Sequence, residues 1–148
     1  MFCLPTIASY ANQLLHGSFG NEFFIKFVTQ DTETGKEIFD ILVYREGQEP
    51  YLFSVKSGGE KVWIHKSIEF ALAKIAREKS GRQFLTTLSD EGEAALDKGR
   101  AEGYINLCRE FMAQSGFETC FLISHNQDII RQADQILQFK KGEVITNV

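Results

Sequence analysis

The sequence predicts an α/β fold, with a mostly parallel sheet, flanking helices and a β-hairpin towards each end of the chain. Three observations predict it. Two runs rich in aromatic and β-branched residues lie near the start, separated by a polar segment. From residue 60 onward, apolar residues at helical spacing alternate with short extended runs, which is typical of parallel sheets covered by helices. A Lys141-Gly142 turn then separates two short runs at the end.

The first third of the chain predicts a helix followed by a hairpin. Residues 8–16 have the spacing of a short helix, which Gly17 and Gly20 should close. Residues 22–30 and 36–45 are strand candidates, because Phe, Ile and Val dominate them. The polar residues 31–35 between them are typical of a turn, so we expect the two strands to pair as a hairpin.

The rest of the chain alternates between predicted helices and strands. An apolar face that includes Ile64, Leu72 and Ile75 predicts a long helix, which Gly81 should end. The run at 119–123 is continuously apolar, which is typical of a strand covered on both faces. In order, the predicted elements are an extended segment at 51–55, a helix at 60–79, a strand at 83–88, a helix at 98–114, a strand at 119–123, a short helix at 126–132 and a hairpin at 135–146.

Size and composition limit the classes of protein to which the chain can belong. Its 148 residues predict one domain, or one lobe of a larger domain, spanning 1–148. With 20 acidic and 16 basic side chains the formal charge is -4, so there is no general attraction to nucleic acid. DNA binding would require a local patch or another segment. No apolar run approaches the roughly 18 residues of a membrane span, and we expect no signal peptide.

The cysteines indicate the redox environment. Cys3, Cys108 and Cys120 are odd in number, and no two of them have metal-ligand spacing. Cys108 and Cys120 lie in apolar patterns and are expected to be buried thiols. This usage fits a reducing, intracellular setting better than a disulfide framework, so we expect a cytoplasmic location.

Residues 57–61 read Ser-Gly-Gly-Glu-Lys and stand between an extended segment and the long helix. Ser57, Gly58 and Gly59 at the start of a helix would make an anion site. The first backbone N–H groups there have no partner within the helix, and the helix dipole favours negative charge. The same residues would also suit a tight turn before a helix, so the motif alone leaves both interpretations open.

Two carboxylates, Asp90 and Glu91, directly follow a predicted strand. Open α/β sheets bind ligands beyond the carboxyl ends of their strands, and adjacent carboxylates there suit phosphoryl transfer. One can hold Mg²⁺ while the next polarises a water molecule. They could equally form the N-cap and first turn before the next helix, and Asp97 is likewise an N-cap candidate.

His125 follows the predicted strand at 119–123 and Ser124. A histidine at a strand end can reach a phosphate oxygen or orient an attacking water, although a lone histidine also has structural roles. Four such signals, each at the end of an element, therefore occur in an order that suits phosphate chemistry. They are residues 57–59, Asp90-Glu91, Leu96-Asp97 and Ser124-His125.

Together these motifs give the chain a resemblance to the C-terminal half of an ABC-type ATPase head, in the branch that contains the SMC proteins and the SbcC-type DNA-repair ATPases. The resemblance covers nearly the whole chain, and its motifs are specific in combination. Residues 11–15 resemble the return from a coiled coil into the head, 57–61 the signature motif, 83–91 the Walker B strand with its acidic end, 92–97 the D-loop segment and Ser124-His125 the switch histidine.

The resemblance implies a role for each matching residue. Asp90 would help to hold Mg²⁺, Glu91 would be the general base for water, and His125 would contact the γ-phosphate of ATP. A second group of residues would act across a dimer interface, on a nucleotide held by the opposite head. This group consists of Ser57, Gly58, Gly59, Glu60 and Asp97.

The chain departs from the pattern of these ATPases in three places. Lys56 precedes the signature motif where many members carry an apolar side chain. Ser89 precedes Asp90 where an apolar residue is usual, so the strand end is more polar than expected. No G-x-x-x-x-G-K-[ST] motif occurs in the sequence, so ATP binding would need a Walker A lobe from the same or another polypeptide. On its own the chain is expected to be inactive.

The resemblance thus implies the C-terminal lobe of an ATP-hydrolysing head acting in DNA double-strand break repair or chromosome maintenance, with ATP sandwiched between two heads. The implied partners are the Walker A lobe, a second head, double-stranded DNA and a nuclease subunit, with no membrane. Two alternatives remain open. One is a lobe of another ABC-class ATPase, of the transporter or translation type, and the other is a binding module that hydrolyses nothing.

Overall fold

The computed structural model describes residues 4–31, 34–55, 60–90, 92 and 101–147. In chain order its elements are α1 (Leu4–Phe19), β1 (Phe23–Gln30), β2 (Glu37–Arg45), β3 (Tyr51–Leu52), α2 (Glu60–Ser80), β4 (Thr86–Asp90), α3 (Ala101–Ser115), β5 (Thr119–Ile123), α4 (Gln127–Ile130), β6 (Ile136–Lys140) and β7 (Glu143–Asn147).

The predicted α/β fold is confirmed, including the parallel strands and both hairpins. β4 and β5 pair in parallel, from Thr86 opposite Thr119 to Asp90 opposite Ile123. β1, β2 and β3 form an antiparallel sheet in that order, and β6 pairs with β7 as the terminal hairpin. The chain thus crosses from β4 through α3 to β5, which is the connection that parallel strands require.

The first helix is longer than predicted. α1 continues through Gly17 and ends before Gly20, whose φ of 62° is a conformation that glycine adopts without strain. Gly17 lies against α3, where a Cβ atom would be 2.6 Å from Glu110 Oε2. Gly17 therefore lies within the helix, beside the Glu110 side chain of α3, and does not end it.

One hydrophobic cluster is centred on α3. Tyr104, Leu107 and Phe111 are buried along this helix. The Phe111 ring stacks on Phe70 of α2, with the ring centroids 4.1 Å apart, and meets Phe117 at 5.0 Å. Aromatic pairs of this kind add about 0.5–1.5 kcal/mol beyond the burial of their area. α3 is thereby fixed against α2 on one side and the start of β5 on the other.

A second cluster joins α1 and α2 to the antiparallel sheet. Ala11 and Leu15 of α1 are fully buried against Ile25 of β1 and Val43 of β2, which lie opposite each other in the register. Trp63 of α2 completes the cluster. The two clusters share α1 and α2, so these helices form the layer that connects the antiparallel sheet to the parallel strands.

The buried face of α2 contains Ile64 and Ala71 of the predicted face, but it is wider than predicted. Leu72 is 47% exposed, whereas Trp63, Lys66, Ser67 and Phe70 are buried. The large apolar area of the two aromatic side chains sets the orientation of the helix, so a lysine and a serine on the same face are carried into the interior. No described helix is long and apolar enough to cross a membrane.

Asn12 of α1 protects the outer edge of β1. Its Nδ2 donates to the Ile25 carbonyl at 2.9 Å, and its Oδ1 accepts from the Ile25 N–H at 2.8 Å. One side-chain amide therefore satisfies both backbone groups that Ile25 directs away from β2. Unpaired groups on a sheet edge invite association with other strands, and this contact removes two of them.

One face of the parallel strand pair is open, which contradicts the prediction that 119–123 is covered on both faces. Leu88 is 66% exposed, and Phe121 and Ile123 are 45% and 47% exposed. Since Leu88 lies opposite Phe121 in the register, these side chains share one face. The opposite face, which includes Leu122, packs on the α3 cluster within the described part of the chain.

Asp40 of β2 anchors the segment that leads to α2. Its carboxylate accepts hydrogen bonds from the Ser54 hydroxyl, from the Ser54 N–H at 3.3 Å and from the Ile41 N–H at 2.7 Å. Partial desolvation raises the pKa of Asp40, but these donors, helped by the charge of Lys61, outweigh it and hold the pKa below its ordinary value. The Asp40 carboxylate thus ties the antiparallel sheet to the chain just before residue 57.

Replacing Asn12 by Leu should lower the free energy of unfolding by about 1–3 kcal/mol, because two partly buried backbone groups lose their partners. Urea unfolding followed by circular dichroism measures the change. Gln13→Leu is a matched control, since Gln13 is the next residue of α1 and is exposed. Equal effects of the two substitutions would show that the contact with Ile25 contributes nothing specific.

Replacing Asp40 by Asn should destabilise the chain more near neutral pH than in acid. The folded pKa is lowered, so the carboxylate contributes stability that is present above its ordinary value of 3.8 and is lost as the pH falls through the folded pKa. Urea unfolding at about pH 7 and about pH 3 should show the gap between the two proteins narrowing. The exposed Asp134→Asn is the control, and a gap that stays constant would contradict the role of Asp40.

Candidate functional site

The structure brings two of the predicted site residues to the same edge of the parallel strand pair. Asp90 is the last residue of β4 and lies opposite Ile123, the last residue of β5. Ser124 and His125 follow directly, so the acidic and imidazole-bearing segments leave neighbouring strand ends. The side chains of Asp90 and His125 are both exposed. This edge is where open α/β sheets bind ligands.

The segment after β5 is held by short-range hydrogen bonds. The Ser124 hydroxyl accepts from the Asn126 N–H at 3.0 Å, and Asn126 caps α4 by accepting from the Asp128 N–H at 2.9 Å. These bonds fix the backbone on both sides of His125. The predicted histidine is therefore presented by an ordered turn between β5 and α4.

Several predicted site residues lie outside the described part of the chain, and their predicted roles stay predictions. Glu60 is the first residue of α2, which confirms a helix beginning directly after the Ser-Gly-Gly sequence. The residues outside the described ranges are Ser57, Gly58, Gly59, Glu91 and Asp97.

The described residues on either side of 56–59 are joined to each other. Lys61, in the first turn of α2, places its Nζ 3.4 Å from the Ser54 carbonyl oxygen and 5.0 Å from the centre of the Phe53 ring. Ser54 is in turn bound to Asp40. Lys61 therefore links the first turn of α2 to Ser54, and the Asp40 carboxylate links Ser54 to the antiparallel sheet.

A buried polar cluster lies on the inner side of the β4 end. Lys66 Nζ of α2 is 3.1 Å from Ser89 Oγ of β4, which is 2.9 Å from the Tyr104 hydroxyl of α3. Lys66 Nζ also meets Glu69 Oε2 at 2.7 Å and lies 5.6 Å from the centre of the Phe70 ring. The polar residue expected at position 89 therefore has partners from two helices.

Gly92 packs directly on this cluster. A Cβ atom at Gly92 would lie 2.5 Å from the Tyr104 hydroxyl oxygen, 2.9 Å from Ser89 Oγ and 3.1 Å from Lys66 Cε. Real Cβ atoms do not approach other atoms this closely, so only glycine fits here. The backbone that leaves β4 thus returns onto the same three side chains two residues after Asp90.

Cys108 and Cys120 meet at the far side of the cluster. The Cys108 thiol is buried as predicted, whereas Cys120 is only half-buried, and both are free thiols. A hydrogen bond to Cys120, together with burial, raises the pKa of Cys108. The same hydrogen bond lowers the pKa of Cys120, with a smaller contribution from the positive charge of Lys66. The ammonium group of Lys66 therefore contacts Ser89 and also lowers the pKa of Cys120.

Sequence reasoning missed Lys66, Tyr104 and Gly92. One signal was available for the lysine, because Trp63, Lys66 and Phe70 recur at spacings of three and four residues on one helical face. Ser89 at an apolar strand position was a second signal, since a buried hydroxyl needs a partner. Nothing in the sequence connects Gly92 to Tyr104.

The chemistry of the strand edge suits a divalent cation that is bound with a phosphate ligand. No group of three or more His, Cys, Asp and Glu side chains able to hold a metal occurs within the described ranges. Mg²⁺ is commonly bound by one or two carboxylates together with phosphates of the substrate. The exposed Asp90 carboxylate fits that requirement as a single oxygen donor.

A wide groove lies elsewhere, between α1 and β1. It is lined by Asn12, His16, Phe24 and Lys26, among others. None of the predicted site residues in the described part of the chain lines it. The groove is therefore separate from the strand edge that carries Asp90.

Comparison with known proteins identifies related sequences. No protein-family model matches the chain. The DNA double-strand break repair Rad50 ATPases of Halobacterium salinarum and Sulfolobus acidocaldarius are 25% and 29% identical to it over 105 residues. Each alignment covers 70% of this chain but 12% and 11% of the respective relative. The chain thus spans a small part of the length of the curated relatives it matches.

Comparison with solved structures identifies the fold. A structure from work on ATP-driven dimerization and DNA-stimulated activation of SMC ATPases matches with a TM-score of 0.69 and 17% identity, covering 96% of this chain and 83% of the other. The SMC head domain of Thermotoga maritima matches with a TM-score of 0.65 and 20% identity, covering 95% and 46%. The fold is that of an SMC head domain, and with the Rad50 relatives the chain resembles the C-terminal portion of an SMC/Rad50-like ABC-type ATPase head.

Proposed function

We propose that the chain is the C-terminal lobe, residues 1–148, of an ATP-hydrolysing ABC-type head that acts in DNA double-strand break repair or chromosome maintenance. The parallel register that sets Asp90 opposite Ile123 carries the proposal. Because of that register, the acidic strand end and the Ser124-His125 segment lie side by side at one edge of the strand pair. The similarity to Rad50 ATPases supports the same reading.

The proposed reaction is the attack of water on the γ-phosphate of ATP, which releases ADP and phosphate. Glu91 would accept the proton from the attacking water, and His125 would hydrogen-bond a γ-phosphate oxygen. Asp90 would hold Mg²⁺, which when bound neutralises charge on the β- and γ-phosphates. The exposure of Asp90 and His125 at the strand edge supports these assignments, because both side chains are accessible to a ligand from outside the chain.

The proposal includes two heads that share each nucleotide. Ser57, Gly58 and Gly59, with Glu60, would bind the γ-phosphate of ATP held by the opposite head, and Asp97 would act across the same interface. The long helix α2, which begins at Glu60, supports this because the first N–H groups of a helix have no partner within the helix and favour an anion.

The proposed partners follow from this arrangement. A Walker A lobe, from the same or another polypeptide, would supply the phosphate loop that the sequence lacks. A second head would complete the nucleotide site. Double-stranded DNA and a nuclease subunit are proposed as partners of the complete, cytoplasmic assembly, in line with the repair function of the named Rad50 relatives.

Replacing Glu91 by Gln in the complete head should lower ATP turnover by about 10²–10⁴-fold, because the general base is lost. ATP binding and head dimerisation should persist, which light scattering in the presence of Mg-ATP would show as a dimer. Glu118→Gln is the matched control, since Glu118 is exposed and lies next to the opposite end of β5. Hydrolysis at the normal rate in Glu91→Gln would make the base assignment wrong.

Calorimetric titration with Mg-ATP should show no binding to this chain alone and binding once a Walker A lobe is added. The physical reason is that most contacts to the phosphates come from the loop and lysine of that lobe. Binding to the isolated chain with the same affinity as the combined lobes would instead favour a free-standing binding module.

A further inference from the structure

We propose that Lys66, Ser89 and Tyr104 form a positioning cluster that fixes the carboxyl end of β4, and with it the backbone that carries Asp90 and Glu91. The importance of those two carboxylates for ATP hydrolysis rests on the proposed function. The positional role of the cluster is separate from it and can be measured without nucleotide.

Three elements converge on one hydroxyl group. Ser89 Oγ of β4 lies 3.1 Å from Lys66 Nζ of α2 and 2.9 Å from the Tyr104 hydroxyl of α3. Lys66 and Ser89 are 7% and 5% exposed, and Tyr104 is fully buried. Hydrogen bonds within a dry interior are directional and strong, so the position of Ser89 is defined from two sides.

Strand geometry transmits this constraint to Asp90. Successive side chains of a strand point to opposite faces, so Ser89 faces the helices while Asp90 faces the open side with Leu88 two residues before it. Any rotation or slip of the strand end that moved Asp90 would therefore break the bonds of Ser89. The hydrogen bonds of the Ser89 hydroxyl group therefore restrict the orientation of the adjacent Asp90 carboxylate.

Gly92 supplies a second point of attachment. Its α-carbon lies so close to the cluster that a Cβ atom would be 2.5 Å from the Tyr104 hydroxyl oxygen. The backbone is thus held at Ser89 and again at Gly92. Asp90 lies between these two points, which restricts the backbone that carries it at the edge of the strand pair.

The energetics favour a positional role over a simple contribution to stability. Burying an ammonium group carries a desolvation penalty, so a buried charged side chain is often replaceable by an apolar one of similar shape without loss of stability. Lys66 recovers part of this cost through Glu69 at 2.7 Å and the Phe70 ring. A methionine at position 66 would fill the same space without the desolvation penalty, but it could not donate a hydrogen bond to Ser89.

The test uses Lys66→Met and Tyr104→Phe in the complete head, each removing one partner of Ser89 while keeping the shape of the side chain. Ser67→Ala is the matched control, because Ser67 is fully buried on the same helix and donates only to the Ile64 carbonyl of its own helix. Amide hydrogen exchange is measured without nucleotide, and ATP turnover is measured separately.

Both cluster variants should speed exchange in the peptide that spans residues 88–92 by about tenfold or more, with α1 unaffected, whereas Ser67→Ala should not. The kcat for ATP should fall by about 10–100-fold with a much smaller change in KM, because the carboxylates are misplaced while ATP still binds. If one variant fails to fold, the hydrogen exchange at 88–92 and the kcat of the other variant test the proposal.

Unchanged exchange at 88–92 in both variants would overturn the proposal, and so would faster exchange throughout all helices, since that would indicate a loss of overall stability. A wild-type head that hydrolyses no ATP would overturn the proposed function alone. The exchange measurement would still decide whether the cluster positions the end of β4.

Discussion

The parallel pairing of β4 with β5 is the constraint on which the candidate site depends. It sets two strand ends level, so that segments far apart in sequence emerge side by side. A shift of the register by one residue would turn Ser89 towards the open face and Asp90 towards the helices. In the observed register Leu122 packs against the apolar surface of the α3 cluster.

The packing of α2 links this strand pair to the other elements of the chain. Its N-terminus follows the Ser-Gly-Gly sequence, its aromatic residues enter both hydrophobic clusters, and its buried lysine meets β4. The helix therefore connects the antiparallel sheet, the α3 cluster and the carboxyl end of β4 through a single rigid element. Apolar packing supplies the stability of this layer, whereas the polar contacts within it specify orientation.

Much of the fold and part of the site could be predicted from the sequence. Periodicity located the helices and strands, and the rule that ligands bind at strand ends singled out Asp90 and His125. The open face of β5 could not be predicted, because a continuous apolar run looks the same whether its second face is covered within the chain or not. Lys66 was missed for another reason, since a lysine is ordinarily a surface residue and only the rotation of α2 carries it inward.

The uncovered side of the parallel strands has a practical consequence for handling the protein. Leu88, Phe121 and Ile123 together present an apolar patch that water contacts unfavourably. Purified by itself at high concentration, the chain will tend to self-associate through this patch, and its solubility will improve when another polypeptide shields it. Co-expression with such a polypeptide is thus the sounder route to material for crystallisation or spectroscopy.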